Sequence, residues 1–168
     1  MTLAELNQLD RPTLALTLGK CCGATAWIED MCQLFPVSDE QALFNKAREI
    51  WYNLAESDWF EAFMHHPKIG DINSLKEKFA STSTWAAGEQ GAVKQASQEV
   101  LAALAEGNRG YEEKFGYIFI VCATGKSAAE MLALLQARLP NLPADEIKIA
   151  MGEQAKITQI RLEKLLAA

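Results

Sequence analysis

The chain has 168 residues, of which 49% are hydrophobic and 23% charged, a composition typical of globular proteins rather than disordered or fibrous ones. This length predicts a single domain over residues 1–168, built around one core. The net charge of -6 repels phosphate backbones and anionic membrane surfaces, so we expect neither nucleic acid nor a membrane as a partner. A local basic pocket for a small anion is compatible with that charge.

The cysteines lack the paired spacing of a zinc site or a CxxC redox motif. They are Cys21, Cys22, Cys32 and Cys122. We therefore expect reduced thiols that pack in the core. The N-terminal residues show no basic region followed by an apolar block, and no uncharged apolar run is long enough to span a membrane. These features favour a cytoplasmic protein.

Capping residues and prolines divide the first half of the chain into helices. The predicted starts are Thr2 with Glu5, Asp10-Arg11-Pro12, Gly23 before Trp27, Ser38 with Gln41, and Ser57. The helix after Ser38 is the clearest amphipathic one, with apolar side chains at helical spacing. The helix after Ser57 ends at His65-His66-Pro67, because a proline pushes the residue before it out of the helical conformation.

The second half is also predicted to be mainly helical. The predicted helices are a weak one over 73–80, a long one from Thr84 to near Gly107, a short one over 108–115 before Gly116, one from Ser127 to Leu139, and one over 144–166. Residues 81–84 are predicted to be a loop or a cluster of capping residues, and Pro140 and Pro143 separate the last two helices.

The apolar, β-branched run at residues 117–123 is typical of a buried strand, but the sequence contains no second run to pair with it. An isolated strand cannot satisfy its own backbone groups. We therefore predict an all-α fold: a compact single-domain bundle of about eight helices with one buried extended segment. The backbone groups of that segment would be available to a ligand.

Two charged side chains are predicted to point into the core. Glu89 lies among the apolar positions of the helix after Thr84, and Arg161 shares a face of the last helix with Thr158 and Leu162. A buried charge must be paired or hydrogen-bonded. Glu89 and Arg161 therefore form a structural ion pair, or Arg161 binds a substrate carboxylate while Glu89 acts on a polar substrate group.

The two histidines have competing interpretations. His66 is either a turn histidine hydrogen-bonded to a carbonyl group or an imidazole presented to a ligand from a fixed turn. Glu61 with His65, one helical turn apart, offers only a weak metal pair, because a four-helix carboxylate site needs further Glu-x-x-His motifs that the sequence lacks. We expect no metal.

Four stretches of the sequence, in this order, resemble the 2-oxo-4-hydroxy-4-carboxy-5-ureidoimidazoline (OHCU) decarboxylase family of urate breakdown. They are His66-Pro67-Lys68-Ile69-Gly70, Glu89-Gln90 with nearby small residues, Phe115-Gly116-Tyr117-Ile118-Phe119-Ile120, and residues 157–162 around Arg161. The resemblance implies an all-α enzyme without cofactors that removes CO2 from the unstable ureidoimidazoline formed from hydroxyisourate, leaving (S)-allantoin. The family often has a serine where this chain has Ala86, so that Ser83 or Thr84 supplies the hydroxyl group or the contact is missing.

The resemblance also implies roles for individual residues. His66 resembles the catalytic acid/base, a role for which an imidazole pKa of about 6.5 is suited. Glu89 resembles the catalytic group that hydrogen-bonds and orients the substrate, Gln90 the residue that binds its amide edges, and Arg161 the anchor for this anionic small molecule. The other implied substrate-binding residues are Pro67, Ala86, Ala87, Gly88, Phe119, Ile120, Val121, Cys122 and Ala123.

Other interpretations of the same residues remain open. A non-enzymatic helical interaction module would use the His66-Pro67 turn as a rigid corner and would lack a closed polar pocket joining His66, Glu89 and Arg161. A cofactor-free hydrolase or isomerase of a related ureide would use the same pocket, and only a panel of substrates separates it from the decarboxylase. A homodimer is compatible with the resemblance, although no exposed apolar stripe in the sequence demands one.

Overall fold

The structure is a computed structural model that describes residues 1–67 and 98–167. Within these ranges the chain forms eight helices and no strand, which confirms the predicted all-α class. The helices are α1 (Leu3–Asn7), α2 (Arg11–Gly19), α3 (Thr25–Leu34), α4 (Glu40–Tyr52), α5 (Glu56–Met64), α6 (Gln98–Phe115), α7 (Ala128–Arg138) and α8 (Pro143–Ala167). The predictions for residues 73–84 and for the first part of the following helix lie outside the described residues.

The chain divides into two compact units, residues 1–66 with 151–168 and residues 67–150. In the first unit, α3 packs against α2, α4 and α5. Its core is formed by side chains that are almost completely excluded from solvent: Leu6, Leu18, Trp27, Met31, Leu43, Phe63 and Leu162. The buried indoles keep their hydrogen bonds, because Trp27 Nε1 donates to the Ala47 carbonyl and Trp51 Nε1 to that of Met151, both at 3.0 Å.

In the second unit, α6 packs against α7. Tyr111 of α6 is fully buried, and its ring lies 4.5 Å from that of Phe115 and 5.2 Å from that of Phe119, between centroids. Gly116 ends α6 with a φ of 83°, a conformation that glycine adopts at little cost. Residues 118–123 then form neither helix nor strand, as predicted for this run.

Two of the predicted helix caps are confirmed and two are wrong. Thr2 and Glu5 form the capping box of α1, and Ser127 accepts the backbone N–H of Glu130 at the start of α7. Asp39 rather than Ser38 caps α4, since its carboxylate accepts the Ala42 N–H at 2.8 Å. The Ser38 hydroxyl instead hydrogen-bonds to that carboxylate at 2.8 Å.

The start of α5 also differs from the prediction. Its N-cap is Ala55, and Ser57 lies inside the first turn. The side chain of Asp58, the third residue of the helix, reaches back to accept the Ala55 N–H at 3.1 Å. The polar contact at this helix end therefore comes from the carboxylate half of a capping box.

Gly107 does not end a helix, because α6 continues without a break from Gln98 to Phe115. A Cβ atom at Gly107 would overlap the side chain of Leu135 in α7, so this glycine permits the two helices to approach closely. Pro143, expected to precede the last helix, is its first residue, where a missing backbone N–H costs least.

No helix in the described part of the chain is both long enough and apolar enough to cross a membrane. The prediction of a single domain over residues 1–168 stays a prediction.

Candidate active site

Helix α5 ends just before His66-Pro67, as predicted from the effect of a proline on the residue before it. The helix ends at Met64, His65 is its C-cap, and the His66 N–H donates to the Phe63 carbonyl at 3.2 Å. Pro67 follows and is exposed. The backbone at His66 is therefore already fixed by the last turn of the helix, while its half-buried side chain leaves the helix.

The His66 imidazole is held by a side chain that sequence reasoning missed. Its Nε2 atom makes a short hydrogen bond to Oε1 of Gln154 in α8. The Gln154 amide nitrogen donates in turn to Oγ1 of Thr158, one helical turn later, at 3.1 Å. Both partners are buried, with 1% and 6% of their surfaces exposed, so the hydrogen bonds are shielded from competing water.

The Thr158 side chain lies near a buried cysteine. Burial raises the pKa of the Cys22 thiol to about 11, and the nearby Thr158 side chain opposes that rise. Burial also raises the pKa of the neighbouring Cys21 thiol to about 11, against the opposing charge of Arg161. Both cysteines are therefore protonated near neutral pH and unsuited to nucleophilic catalysis.

Arg161 is half-buried on α8, two turns beyond Gln154. Its NH1 atom donates to the Cys21 carbonyl at 3.4 Å, a long hydrogen bond. Among residues 1–67 and 98–167, no carboxylate lies within ion-pairing distance of this guanidinium. The predicted alternative of an ion pair with Glu89 lies outside the described residues.

Two contacts fix the end of α5 that leads to His66. The Glu61 carboxylate accepts both the backbone N–H and the hydroxyl group of Thr25, at the first residue of α3. The His65 ring lies so close to Gly23 that a Cβ atom there would overlap it. Glu61 therefore serves as a helix cap for α3, and in the described ranges no group of three or more His, Cys, Asp and Glu side chains is arranged to hold a metal ion.

The second unit contains a buried ionic network that sequence reasoning also missed. Arg138 of α7 pairs with Glu146 of α8 at 2.6 Å, and Glu146 also accepts the Tyr111 hydroxyl at 2.5 Å. NH1 of Arg138 donates to the Ile120 carbonyl at 2.7 Å. Burial, followed by the hydrogen bond to Glu146, raises the pKa of Tyr111.

This network bears on the segment that the resemblance assigns to substrate binding. Arg138 engages the Ile120 carbonyl, and Nζ of Lys126 donates to the Cys122 carbonyl at 2.7 Å. Ile120 and Cys122 are buried, whereas Phe119, Val121 and Ala123 are half-buried. Two carbonyl groups of the segment are thus already hydrogen-bonded to cationic side chains within the unit.

The predicted site residues fall into three groups. His66 and Arg161 belong to the first unit, where the Gln154 side chain contacts His66. Pro67 and the segment from Phe119 to Ala123 belong to the second unit. The third group lies outside the described residues: Ala86, Ala87, Gly88, Glu89 and Gln90.

A sequence signal for the missed residues did exist. Gln154 lies four residues before Thr158 and four after Ala150, so it shares the apolar face of the last helix that the sequence predicts. Arg138 likewise follows Leu135 by three residues on the buried face of α7. Testing every polar residue of these helices by its angle would have found both.

The described part of the chain is thus an all-α protein with a histidine held in a buried polar network. The sequence matches the OHCU decarboxylase family over residues 7–163. It is 40% identical, over 88% of its length, to 45% of the uric acid degradation bifunctional protein TTL of Arabidopsis thaliana. It is 25% identical, over 98% of its length, to 32% of the uric acid degradation bifunctional protein of Bacillus sp. (strain TB-90).

A solved structure is also similar. It is a crystal structure of OHCU decarboxylase in the presence of (S)-allantoin, with a TM-score of 0.72 and 38% identity. The similarity covers 89% of this chain and 96% of that one. The chain belongs to the OHCU decarboxylase family. It spans less than half the length of the two bifunctional relatives.

Proposed function

We propose that this chain decarboxylates 2-oxo-4-hydroxy-4-carboxy-5-ureidoimidazoline to (S)-allantoin and CO2 in urate breakdown. The observation that carries the proposal is the similarity to OHCU decarboxylase, which extends over almost the whole of that solved chain. The family match over residues 7–163 supports it. The partner is then a small anionic ureidoimidazoline.

The reaction breaks the bond between a ring carbon and the carboxylate and leaves the electron pair on the ring. The imidazoline ring can accept that pair, and one proton must be added to complete neutral allantoin. The protein then has to orient the substrate, transfer protons and stabilise charge. Histidine is suited to the proton transfers, because its imidazole gains and loses a proton near neutral pH.

We assign the proton transfer to His66. Its imidazole would accept the proton of the substrate hydroxyl group, whose carbon becomes a carbonyl group once CO2 has left, or deliver a proton to the neighbouring ring carbon that carries the ureido group. The fixed backbone after α5 and the hydrogen bond to Gln154 support this role, because they limit the positions that the imidazole can adopt. Protonation of one face of the ring would determine the (S) configuration of the product.

We assign substrate anchoring to Arg161. Its planar guanidinium can donate two parallel hydrogen bonds to a carboxylate, and its contact with Cys21 is a single long one. Glu89 and Gln90 complete the proposal as the groups that orient the substrate and bind its amide edges. Pro67, Ala86, Ala87, Gly88 and the segment from Phe119 to Ala123 would contribute further contacts.

We also propose that the protein is located in the cytoplasm. All four cysteines are buried and none forms a disulfide, which suits the reducing environment of the cytoplasm. The homodimer stays a prediction, which light scattering of the purified protein would test.

The proposal is tested by the chirality of the product. The substrate decays spontaneously to racemic allantoin, so its disappearance alone proves little. We expect that adding the protein to freshly generated substrate produces the circular dichroism signal of (S)-allantoin, at a rate proportional to protein concentration. Racemic allantoin, formed at the rate seen without protein, would refute the proposal.

A further inference from the structure

We propose that Gln154 is a positioning residue that keeps the proton of the neutral His66 imidazole on Nε2, which makes Nδ1 the nitrogen that exchanges a proton with the substrate. The exchange rests on the proposed function. The tautomer is a property of the folded chain alone, and it can be measured without any substrate.

The tautomer follows from the chemistry of an amide. A glutamine side chain has an oxygen that only accepts hydrogen bonds and a nitrogen that only donates them. The nitrogen of Gln154 donates to Thr158, so its oxygen is the atom facing Nε2 of His66. Nε2 must then carry a hydrogen, and a neutral imidazole carries only one. The lone pair that acts as a base therefore belongs to Nδ1.

Thr158 is the hydrogen-bond partner of the amide nitrogen. Its hydroxyl group has one hydrogen, and its side chain lies near the Cys22 thiol. When that hydrogen points to the sulfur, the oxygen accepts from Gln154, and every bond in the chain donates in the same direction. Gln154 and Thr158 are almost fully buried, so water does not supply alternative partners for a rotated amide.

The same arrangement would assist the reaction. After Nδ1 accepts a proton, the imidazole is positively charged and both of its nitrogens donate. A hydrogen bond from a charged donor is roughly twice as strong as a neutral one. The Gln154 oxygen therefore stabilises the charged form that appears during proton transfer, without moving.

The tautomer can be read directly by NMR, because the chain has only 2 histidines. In protein labelled with 15N-histidine, long-range proton–nitrogen spectra distinguish a protonated Nε2 from a protonated Nδ1, and His65→Gln assigns the two rings. At a pH where the rings are neutral, we expect His66 to be the Nε2–H tautomer. A predominantly Nδ1–H form would overturn the inference.

Variants test whether Gln154 is the cause. Gln154→Leu removes both the oxygen and the nitrogen of the side-chain amide. If the leucine variant fails to fold, Gln154→Met removes the same atoms with a more flexible side chain. We expect either one to give a mixture of tautomers for His66. Thr158→Val should give a smaller change in the same direction, and Thr158→Ser, which keeps the hydroxyl, should keep the wild-type tautomer. An unchanged tautomer in the folded Gln154 variant would overturn the inference.

The matched control is Gln159→Leu on the same helix. Gln159 also donates to a side chain one turn later, Glu163, at 2.9 Å, but on the exposed side of α8. We expect this variant to keep both the tautomer and the activity of the wild-type protein. A loss of tautomer preference in the control as large as in Gln154→Leu would contradict a specific role for Gln154.

Kinetics connect the tautomer to the proposed reaction. We expect Gln154→Leu to lower kcat by about tenfold or more while changing KM much less, because the lost interaction acts on proton transfer rather than on substrate binding. Equal kcat values for this variant and the wild type would refute the positioning role. If the wild-type protein forms no (S)-allantoin, the proposed function fails, and the NMR result still decides the tautomer.

Discussion

Arg138 and Glu146 form an ion pair that is buried on both sides, with side chains only 8% and 0% exposed. The Glu146 carboxylate also accepts hydrogen bonds from Tyr111 and Asn141, and Arg138 donates to the Ile120 carbonyl. The pair therefore ties the segment at residues 117–123 to the helices of the second unit. Each charge is removed from water, and the opposite charge of its partner offsets that loss of hydration.

Breaking this pair should be costly for stability. We expect Glu146→Gln to lower the free energy of unfolding by about 3 to 5 kcal/mol, because it leaves the Arg138 charge buried without a counter-charge. Urea denaturation followed by circular dichroism measures the change. The control is Glu49→Gln, which breaks the exposed pair with Lys46 and should cost less than about 1 kcal/mol. Equal effects of the two variants would contradict the structural importance of the buried pair.

The close contact of α6 with α7 predicts opposite effects for two glycines of α6. Gly107→Ala should destabilise the protein by about 1 to 3 kcal/mol, since the added methyl group overlaps Leu135. Gly110→Ala adds its methyl group where no atom lies within 4 Å, and we expect a gain of about 0.5 to 1 kcal/mol from helix propensity. Thermal unfolding of the two variants measures the difference, and a stabilising Gly107→Ala would show that the helices are not in close contact there.

The buried thiol of Cys22 predicts a loss of stability in alkali. Burial raises its pKa from 9.0 to about 11, so the folded state holds the thiol proton more tightly than the unfolded state does. The stabilisation of the folded state by the protonated thiol is fully present below about pH 9, and it is lost as the pH rises towards about 11. It amounts to something on the order of 2 kcal/mol.

The test compares denaturation midpoints of the wild type and Cys22→Ala from pH 8 to 11. We expect a shallower decline in the variant, whatever its stability at pH 8, because only the ionisation of Cys22 has been removed. Parallel declines would show that the folded state does not perturb this thiol.

The contact between Gly23 and the His65 ring predicts an effect on activity. We expect Gly23→Ala to lower the rate of (S)-allantoin formation about tenfold, because the added methyl group displaces His65 and with it the adjacent His66, to which we assign the proton transfer. Gly152→Ala is the control, since its added methyl group would meet only the Tyr52 hydroxyl at an ordinary 3.8 Å. Undiminished turnover in a folded Gly23→Ala variant would show that this contact does not position His66.

Local signals in the sequence predicted most of the helices. The capping box at Thr2 and the proline after His66 act within one turn of chain, so the sequence defines them without knowledge of the fold. Asp39 and Ser38 are adjacent capping residues, and sequence spacing alone favoured the wrong one. The prediction that Gly107 ends a helix is wrong, because this glycine makes room for the Leu135 side chain of a neighbouring helix. Local helix propensity cannot detect such a contact between helices.

The polar interior was harder to predict than the helices. Helical angles predict that Glu89 and Arg161 face inward, but such an angle identifies no partner. Gln154 is uncharged, so its place on an apolar helix face does not by itself indicate that it needs a partner. Its hydrogen bond to His66 joins residues 88 positions apart, which sequence spacing cannot predict. Resemblance to a family therefore identified the catalytic candidates, and the structure added a residue that holds one of them.

The most direct measurement of the central claim compares the two adjacent histidines in the chiral allantoin assay. His66→Asn and His65→Asn each replace an imidazole with a smaller polar group, and far-UV circular dichroism verifies that both variants fold. We expect His66→Asn to abolish the accelerated formation of (S)-allantoin and His65→Asn to retain at least about a tenth of the wild-type rate. Wild-type turnover by a folded His66→Asn variant would contradict the account.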